Sequence, residues 1–267
     1  MRLCYSNLAC PDWSFERTVE AVAAYGFDGL EIRLFDGEVV TPGISAPARR
    51  RAEAALRSSG VAVAALDTSL RLSEGRRPFL EGVAAMAEIA AQWGAPLMRV
   101  FGGPLPAAHL EREAALEEAG AVLVQAAPVA SRHGVAIALE THDDFSSAHL
   151  VARVMQMAGG AVGAVYDSHH PHRMGEPPSE VLDVLGPHVW HVHAKDARRL
   201  PGGDSWQLVP LGEGEVPVRE MVGLLSARGY QGWLSLEFEK KWHPELAPPD
   251  VALRPQAELL RAWVAGR

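Results

Sequence analysis

Cysteine is nearly absent from this chain, with two among 267 residues, Cys4 and Cys10. Cys4 falls in an expected first strand and Cys10 in the loop after it. They read as a small buried residue and a loop thiol, not as a disulfide or a zinc pair. Low thiol content fits a reducing cytoplasm. Long apolar runs are missing too. No stretch approaches the roughly 20 residues that span a bilayer. Met1-Arg2-Leu3-Cys4-Tyr5 lacks the apolar core of a signal peptide. A cytoplasmic location is therefore expected, with no membrane partner. Positive charge is also short: 25 Lys and Arg stand against 33 Asp and Glu, a formal net charge of −8. A nucleic-acid surface needs clustered cations to displace counterions, so none is expected. No linker, low-complexity tract or charge block divides the chain, and residues 1–267 are expected to form one domain. Finally, the turn after the first strand, Leu8-Ala9-Cys10-Pro11, contains no glycine. An open doubly wound sheet usually carries a glycine-rich loop there.

What is present is a strict alternation of two periodicities. Strand candidates are residues 2–7, 29–34, 61–66, 96–101, 135–140, 162–166, 189–192 and 233–236. Helix candidates lie between them: one capped by Ser14 and stopped at Gly26, then 46–59, 78–93, 109–133, 144–157, 178–185, 216–228 and 253–265. Alternating strands and helices imply a parallel sheet with crossover helices. Eight such units in a chain close to the roughly 250 residues typical of one barrel predict a single-domain (β/α)8 TIM barrel.

The last four strands share a feature that a buried strand does not ordinarily have. Val-Ala-Ile-Ala-Leu ends in Glu140, with His142 two residues on. Residues 162–166 end in Asp167, followed by His169 and His170. The seventh strand runs into His193, with Lys195 and Asp196 beyond, and the eighth ends in Glu237. A buried ionisable group is costly unless it is paired or binds a metal. Four of them on successive strand ends of a parallel barrel converge at its carboxyl face, where such barrels carry their active sites. Three carboxylates and one imidazole suit one divalent metal ion: Mn²⁺ or Mg²⁺, with Co²⁺ and Zn²⁺ also able to bind.

Several motifs resemble the sugar phosphate isomerase/epimerase family with a xylose-isomerase-like TIM barrel. They are Gly26-Phe27-Asp28-Gly29-Leu30-Glu31, Leu139-Glu140-Thr141-His142, Asp167-Ser168-His169-His170, His191-Val192-His193-Ala194-Lys195-Asp196, Leu211-Gly212-Glu213-Gly214-Glu215, and Gly229 through Glu237. The resemblance implies that Glu140, Asp167, His193 and Glu237 bind the metal. It also implies that His170 contacts substrate and that Glu140 and Glu237 exchange protons with substrate carbon. The apurinic endonucleases of the superfamily carry extra histidines on earlier strands. Here strands three and four end in Asp67 and near Arg99, which argues against that activity.

General chemistry agrees with those roles. Removing a proton beside a carbonyl forms an enediolate, which a metal stabilises while carboxylates carry the proton. Return of the proton gives an epimer or an isomer, and loss of a β-hydroxyl gives dehydration. The leading expectation is a metal-dependent isomerase or epimerase of a small keto sugar or sugar derivative. A dehydratase of an inosose or dehydroshikimate-like substrate is the alternative, and an inactive sugar-binding barrel a further one. His142 and Glu31 are additional substrate-binding candidates. Trp206 could cover the mouth, and Lys195, Arg198 and Arg199 read as a solvated run. The partners expected are a small carbohydrate and, as an open option, further copies of the chain. The charge and the missing histidines predict that abasic duplex DNA is not a substrate. Cleavage of such a duplex at physiological salt, lost in His193→Ala, would contradict this.

Overall fold

In a computed structural model, which describes residues 1–203 and 205–267, eight parallel strands close into a barrel. They are β1 (Arg2–Ser6), β2 (Gly29–Ile32), β3 (Ala62–Arg71), β4 (Leu97–Phe101), β5 (Ala136–Glu140), β6 (Gly163–Asp167), β7 (Val189–Ala194) and β8 (Trp233–Leu236). Each pairs with its sequence neighbours, and β1 with β8 closes the ring. The eight principal helices run outside: α1 (Phe15–Tyr25), α2 (Ala46–Ser59), α3 (Arg76–Gln92), α4 (His109–Ser131), α5 (Ala148–Met157), α6 (Pro178–Leu185), α7 (Val218–Ala227) and α8 (Pro249–Val264). The expected (β/α)8 TIM barrel is therefore the fold. No helix among the described residues is long and apolar enough to cross a membrane.

Local chemistry sets several boundaries. Ser14 Oγ accepts from the Arg17 N–H at the start of α1, and Gly26 ends that helix in the left-handed region with φ 83°. α8 begins at Pro249, earlier than the expected Leu253, because proline is tolerated in a helix's first turn. α5 begins later than expected, at Ala148, after a single 3-10 turn over Asp143–Phe145. Strand β3 does not stop at Asp67. It continues to Arg71 past an irregularity in its pairing with β4. Two short hairpins decorate the carboxyl face, Leu34–Phe35 with Glu38–Val39 and Asp196–Arg199 with Trp206–Val209. The second occupies the long stretch after β7 that reads as a loop from sequence; Asp204 within it lies outside the described residues.

The barrel interior is layered by the two-residue period of its strands. Ala65, Leu97, Ala138 and Val165 form an apolar cluster, with Trp190 packed against it. Two residues further along the same four strands stand Asp67, Arg99, Glu140 and Asp167, all buried. The opposite strand faces, such as Leu30, Ile32, Ile137, Leu139, Tyr166 and Val192, are fully buried in the main core between barrel and helices. Each such burial contributes about 1.5–3 kcal/mol. The charged layer thus rests on an apolar floor and opens only toward the carboxyl face.

Glycine makes room for that floor. A β-carbon on Gly163 would lie 2.1 Å from Trp190 Cδ2, and one on Gly29 would lie 2.5 Å from Trp233 Cη2. The Trp190 ring packs against the floor and the Trp233 ring against Cys4 and Ala64, so neither can swing aside without repacking its neighbours. Gly163→Ala is therefore expected to destabilise the fold by about 1–3 kcal/mol through overpacking. A urea titration checks this: the midpoint should fall with little change in slope, and an unchanged midpoint would contradict the account.

Candidate metal centre

Strand pairing brings the four strand-end residues together. β5, β6, β7 and β8 are consecutive neighbours, Asp167 is in register with His193, and His193 with Ser235, two residues before Glu237. One donor atom from each of Glu140, Asp167, His193 and Glu237 lies within 4.8 Å of the other three. Ligands about 2.1 Å from a shared ion can be at most about 4.2 Å apart, so small side-chain adjustments suffice. His193 Nδ1 stands between the two glutamates, 3.0 Å from Glu140 Oε1 and 3.4 Å from Glu237 Oε2. Asp167 is oriented by its own chain: Oδ1 accepts the backbone N–H of His169 at 2.7 Å and of His170 at 2.9 Å, opening the short helix His169–Arg173. That leaves Oδ2 turned inward.

The donor set fits a divalent cation on two further grounds. First, Glu140 Oε2, Asp167 Oδ2 and Glu237 Oε2 are buried and met by cationic groups, Arg99 Nε at 3.2 Å and Lys195 Nζ at 3.0 and 2.5 Å, so this oxygen cluster already draws positive charge. Second, of six buried acids, five, Glu31, Asp67, Glu140, Asp167 and Glu237, face three buried permanent cations, Arg33, Arg99 and Lys195, while the sixth, Asp196, is taken up by backbone N–H groups. The difference, five minus three, is two negative charges. Left to its own groups, the chain offsets them with protons. Burial pushes Asp67 up to about 8, helped by Glu31 and opposed by Arg99. Burial pulls His193 down, but Glu237, Glu31 and Glu140 outweigh it and hold the imidazole well above its usual value. Burial likewise raises Asp167 to about 6 against the pull of Lys195. Glu237 moves the other way: burial favours its neutral form, yet His193 and Lys195 keep it well below the usual carboxylate range. A divalent ion carries the same two positive charges and would displace these protons.

Lys195 and Asp196 complete the strand end. The Lys195 ammonium is buried, 3.0 Å from Asp167 Oδ2 and 2.5 Å from Glu237 Oε2, and also paired with Glu239. Burial lowers its pKa, but Asp167, Glu237 and Glu239 more than reverse that, so it stays charged. The reading of Lys195 as a solvated surface residue is thus corrected; Arg198 and Arg199 are exposed as expected. The signal was present: His191, His193 and Lys195 recur at the strand period and share one face. Asp196 accepts backbone N–H groups from Ala197, Gly212, Gly214 and Val216. Its carboxylate pins the Leu211–Glu215 motif, which therefore binds a side chain of its own chain.

On the other side of the site, Arg99 is fully enclosed and still charged. Its Nε is 3.2 Å from Glu140 Oε2, its Nη2 3.4 Å from Asp67 Oδ2, and its guanidinium lies 3.9 Å over the Phe101 ring. Sequence reading placed Arg99 at the strand end without assigning it a partner, because the pairing joins residues of three strands. An arc of rings continues from there. Phe101 meets His142 at 4.6 Å, His142 meets His170 at 4.3 Å, and His169 meets Trp206 at 5.2 Å between centroids. Neither nitrogen of His170 has a hydrogen-bond partner, and burial together with Lys195 holds the ring neutral, well below the usual imidazole pKa. His142 is less enclosed and its Nδ1 lies 2.9 Å from Asp143 Oδ1. Glu31 is placed differently from the other substrate candidates. It stands behind His193, fully buried, with Oε2 3.1 Å from His193 Nε2 and also bonded to His191 Nε2.

Comparison with known proteins gives this arrangement a context. The chain is 26% identical over 141 residues to an inosose dehydratase of Yersinia enterocolitica, covering 46% of this chain and 47% of that protein. It is 30% identical over 92 residues to a fructoselysine 3-epimerase of Escherichia coli O157:H7, covering 34% of this chain and 31% of that one. The chain thus matches about half or less of the length of these curated relatives. Among solved structures, the IOLI protein with a bound zinc atom superposes with a TM-score of 0.80 at 18% identity, covering 100% of this chain and 99% of that one. At that identity the likeness shows the fold alone. The xylose isomerase-like TIM barrel family model matches residues 19–263, nearly the whole barrel with its strand-end acids, and the chain belongs to that family.

Proposed function

We propose that this protein is a divalent-metal-dependent enzyme that moves a proton beside the carbonyl of a small keto sugar or sugar derivative, as an isomerase or epimerase. The observation that carries this reading is that Glu140 and Glu237 reach one cluster from different strands, with oxygens 3.0 and 3.4 Å from the same His193 Nδ1. Two carboxylates at one centre supply the pair of proton carriers that the reaction needs. Glu140, Asp167, His193 and Glu237 are the residues that would hold the ion. When bound, it supplies positive charge to the substrate oxygens next to the acidic carbon.

The chain's own groups do the rest. One glutamate takes the proton on the oxygen turned to substrate, and the other returns it. Arg99 beside Glu140 and Lys195 beside Glu237 keep both acids ionised and so ready to accept: burial raises Glu140's pKa, and Arg99 and His193 more than reverse it. His170, neutral and with both nitrogens unpartnered, can donate to or accept from a substrate hydroxyl. The rings of Phe101, His142, His169, His170 and Trp206 wall the mouth against water.

A dehydratase is the second reading. Lys195 favours it, because a buried ammonium against Glu237 is an acid for a departing hydroxide. Relatives named as inosose dehydratase and as fructoselysine 3-epimerase fit one reading each. Proton NMR in D₂O over a panel of ketoses and inososes distinguishes them. Exchange of a carbon-bound proton without loss of water supports epimerisation or isomerisation, and an enone absorbance supports dehydration. Metal bound without either would leave a sugar-binding barrel.

The purified protein is expected to carry one divalent ion per chain, and His193→Ala to lose most of it. Equal metal content in the two proteins would contradict the ligand set. Glu140→Gln and Glu237→Gln keep shape and one oxygen ligand but remove the base. Both are expected to retain some metal and to lose turnover by at least the ~10²-fold typical of a general base. In an epimerase the two variants should differ in which epimer still exchanges its proton with D₂O. Near-native turnover in both would move the search for the base to His142 and His170.

A further inference from the structure

The two ring nitrogens of His193 have different neighbours. Nδ1 faces the acids of the metal centre, while Nε2 is 3.1 Å from Glu31 Oε2. The same oxygen is hydrogen-bonded to His191 Nε2. All three residues are fully buried. Glu31 comes from β2, across the barrel from β7, and among the described residues its ion-pair partners are these two imidazoles. Asp67, the neighbouring acid, has a guanidinium instead.

An ionised carboxylate only accepts hydrogen bonds. Two imidazoles bonded to one Glu31 oxygen must therefore each carry a hydrogen on Nε2. In a neutral ring this leaves the lone pair on Nδ1, the nitrogen turned toward Glu140 and Glu237. A purely structural buried pair would be satisfied by either tautomer, provided both polar atoms found partners. Here a carboxylate at each nitrogen calls for a hydrogen on both, and once a cation takes the Nδ1 side only the Nε2–H tautomer serves both sides of the ring.

We propose that Glu31 is a positioning residue that fixes His193 as the Nε2–H tautomer and so selects Nδ1 as the nitrogen offered to a divalent cation. The proposal rests on the metal reading above and gives Glu31 a place behind the centre in exchange for substrate contact. His191 shares the task by holding the same oxygen from a second side, which keeps the carboxylate from turning away. Carboxylates that orient a ligating histidine typically alter metal affinity by 10–100-fold.

The test uses Zn²⁺ and the full chain. In Glu31→Gln the amide can donate to Nε2, which moves the ring hydrogen to Nδ1. Chelator competition should show Zn²⁺ affinity lower by about 10–100-fold. Long-range ¹H–¹⁵N spectra of the Zn²⁺-loaded wild type should show His193 protonated on Nε2. Glu31→Asp keeps the acceptor and should retain that tautomer with intermediate affinity. Affinity of Glu31→Gln within about twofold of wild type, or a wild-type His193 protonated on Nδ1, would overturn the proposal. If the variants do not fold, the wild-type spectrum decides alone. A wild type that binds no Zn²⁺ at all would overturn the metal reading itself, whereas Zn²⁺ binding indifferent to Glu31→Gln would overturn only this proposal.

Discussion

Burial of charge at the barrel mouth is the constraint on which the rest depends. Five acids and three permanent cations are withdrawn from water within one layer of side chains. Each isolated ion would cost several kcal/mol there, so none can be placed independently of the others. Lys195 is held by Asp167, Glu237 and Glu239, and Arg99 by Asp67 and Glu140. Glu140, Asp167 and Glu237 bring their carboxylates together with His193. The barrel thus concentrates anionic character at the one point that four strand ends share. The apolar floor of Ala65, Leu97, Ala138 and Val165 beneath it closes the layer from below.

This arrangement also bears on a conflict in the chemistry. A carboxylate bound to a cation is a weaker base, since coordination favours its ionised form. Glu140 and Glu237 are nonetheless the groups proposed to carry protons. The conflict eases if each uses one oxygen for the ion and the other for substrate, and if the same ion raises the acidity of the substrate's C–H bond. Asp167 is arranged otherwise. Its Oδ1 is committed to two backbone N–H groups, so only Oδ2, which also meets Lys195, is turned to the site. The division of labour among the three acids follows from what each oxygen already holds.

The supporting framework reaches well beyond the centre. Asp196 turns away from the mouth and collects four backbone N–H groups, tying the Leu211–Glu215 segment to the end of β7. The hairpin that begins at Asp196 carries Trp206 to His169, extending the ring wall. Consecutive residues at the end of β7 therefore divide between two tasks: Lys195 enters the site and Asp196 anchors the Leu211–Glu215 segment. The two-residue period of a strand permits this, because neighbours point to opposite faces.

Sequence by itself determined the alternation of eight strands and eight helices, hence the barrel, and the four ionisable strand ends with the residue types a hard divalent ion prefers. Those features are local: hydrophobic period, capping serine, glycine stops and a carboxylate at the end of an apolar run can each be read within a dozen residues. Tertiary structure alone decided who stands next to whom across the barrel. Glu31 and His193 are 162 positions apart and meet through β2 and β7, Arg99 joins acids from β3 and β5, and Lys195, set in a run of charges, is enclosed by acids of β6 and β8. A strand pattern states that a side chain points inward. Closure of the sheet is what brings inward side chains from non-adjacent strands within hydrogen-bond distance, and with them the charge compensation that turns four buried residues into one site.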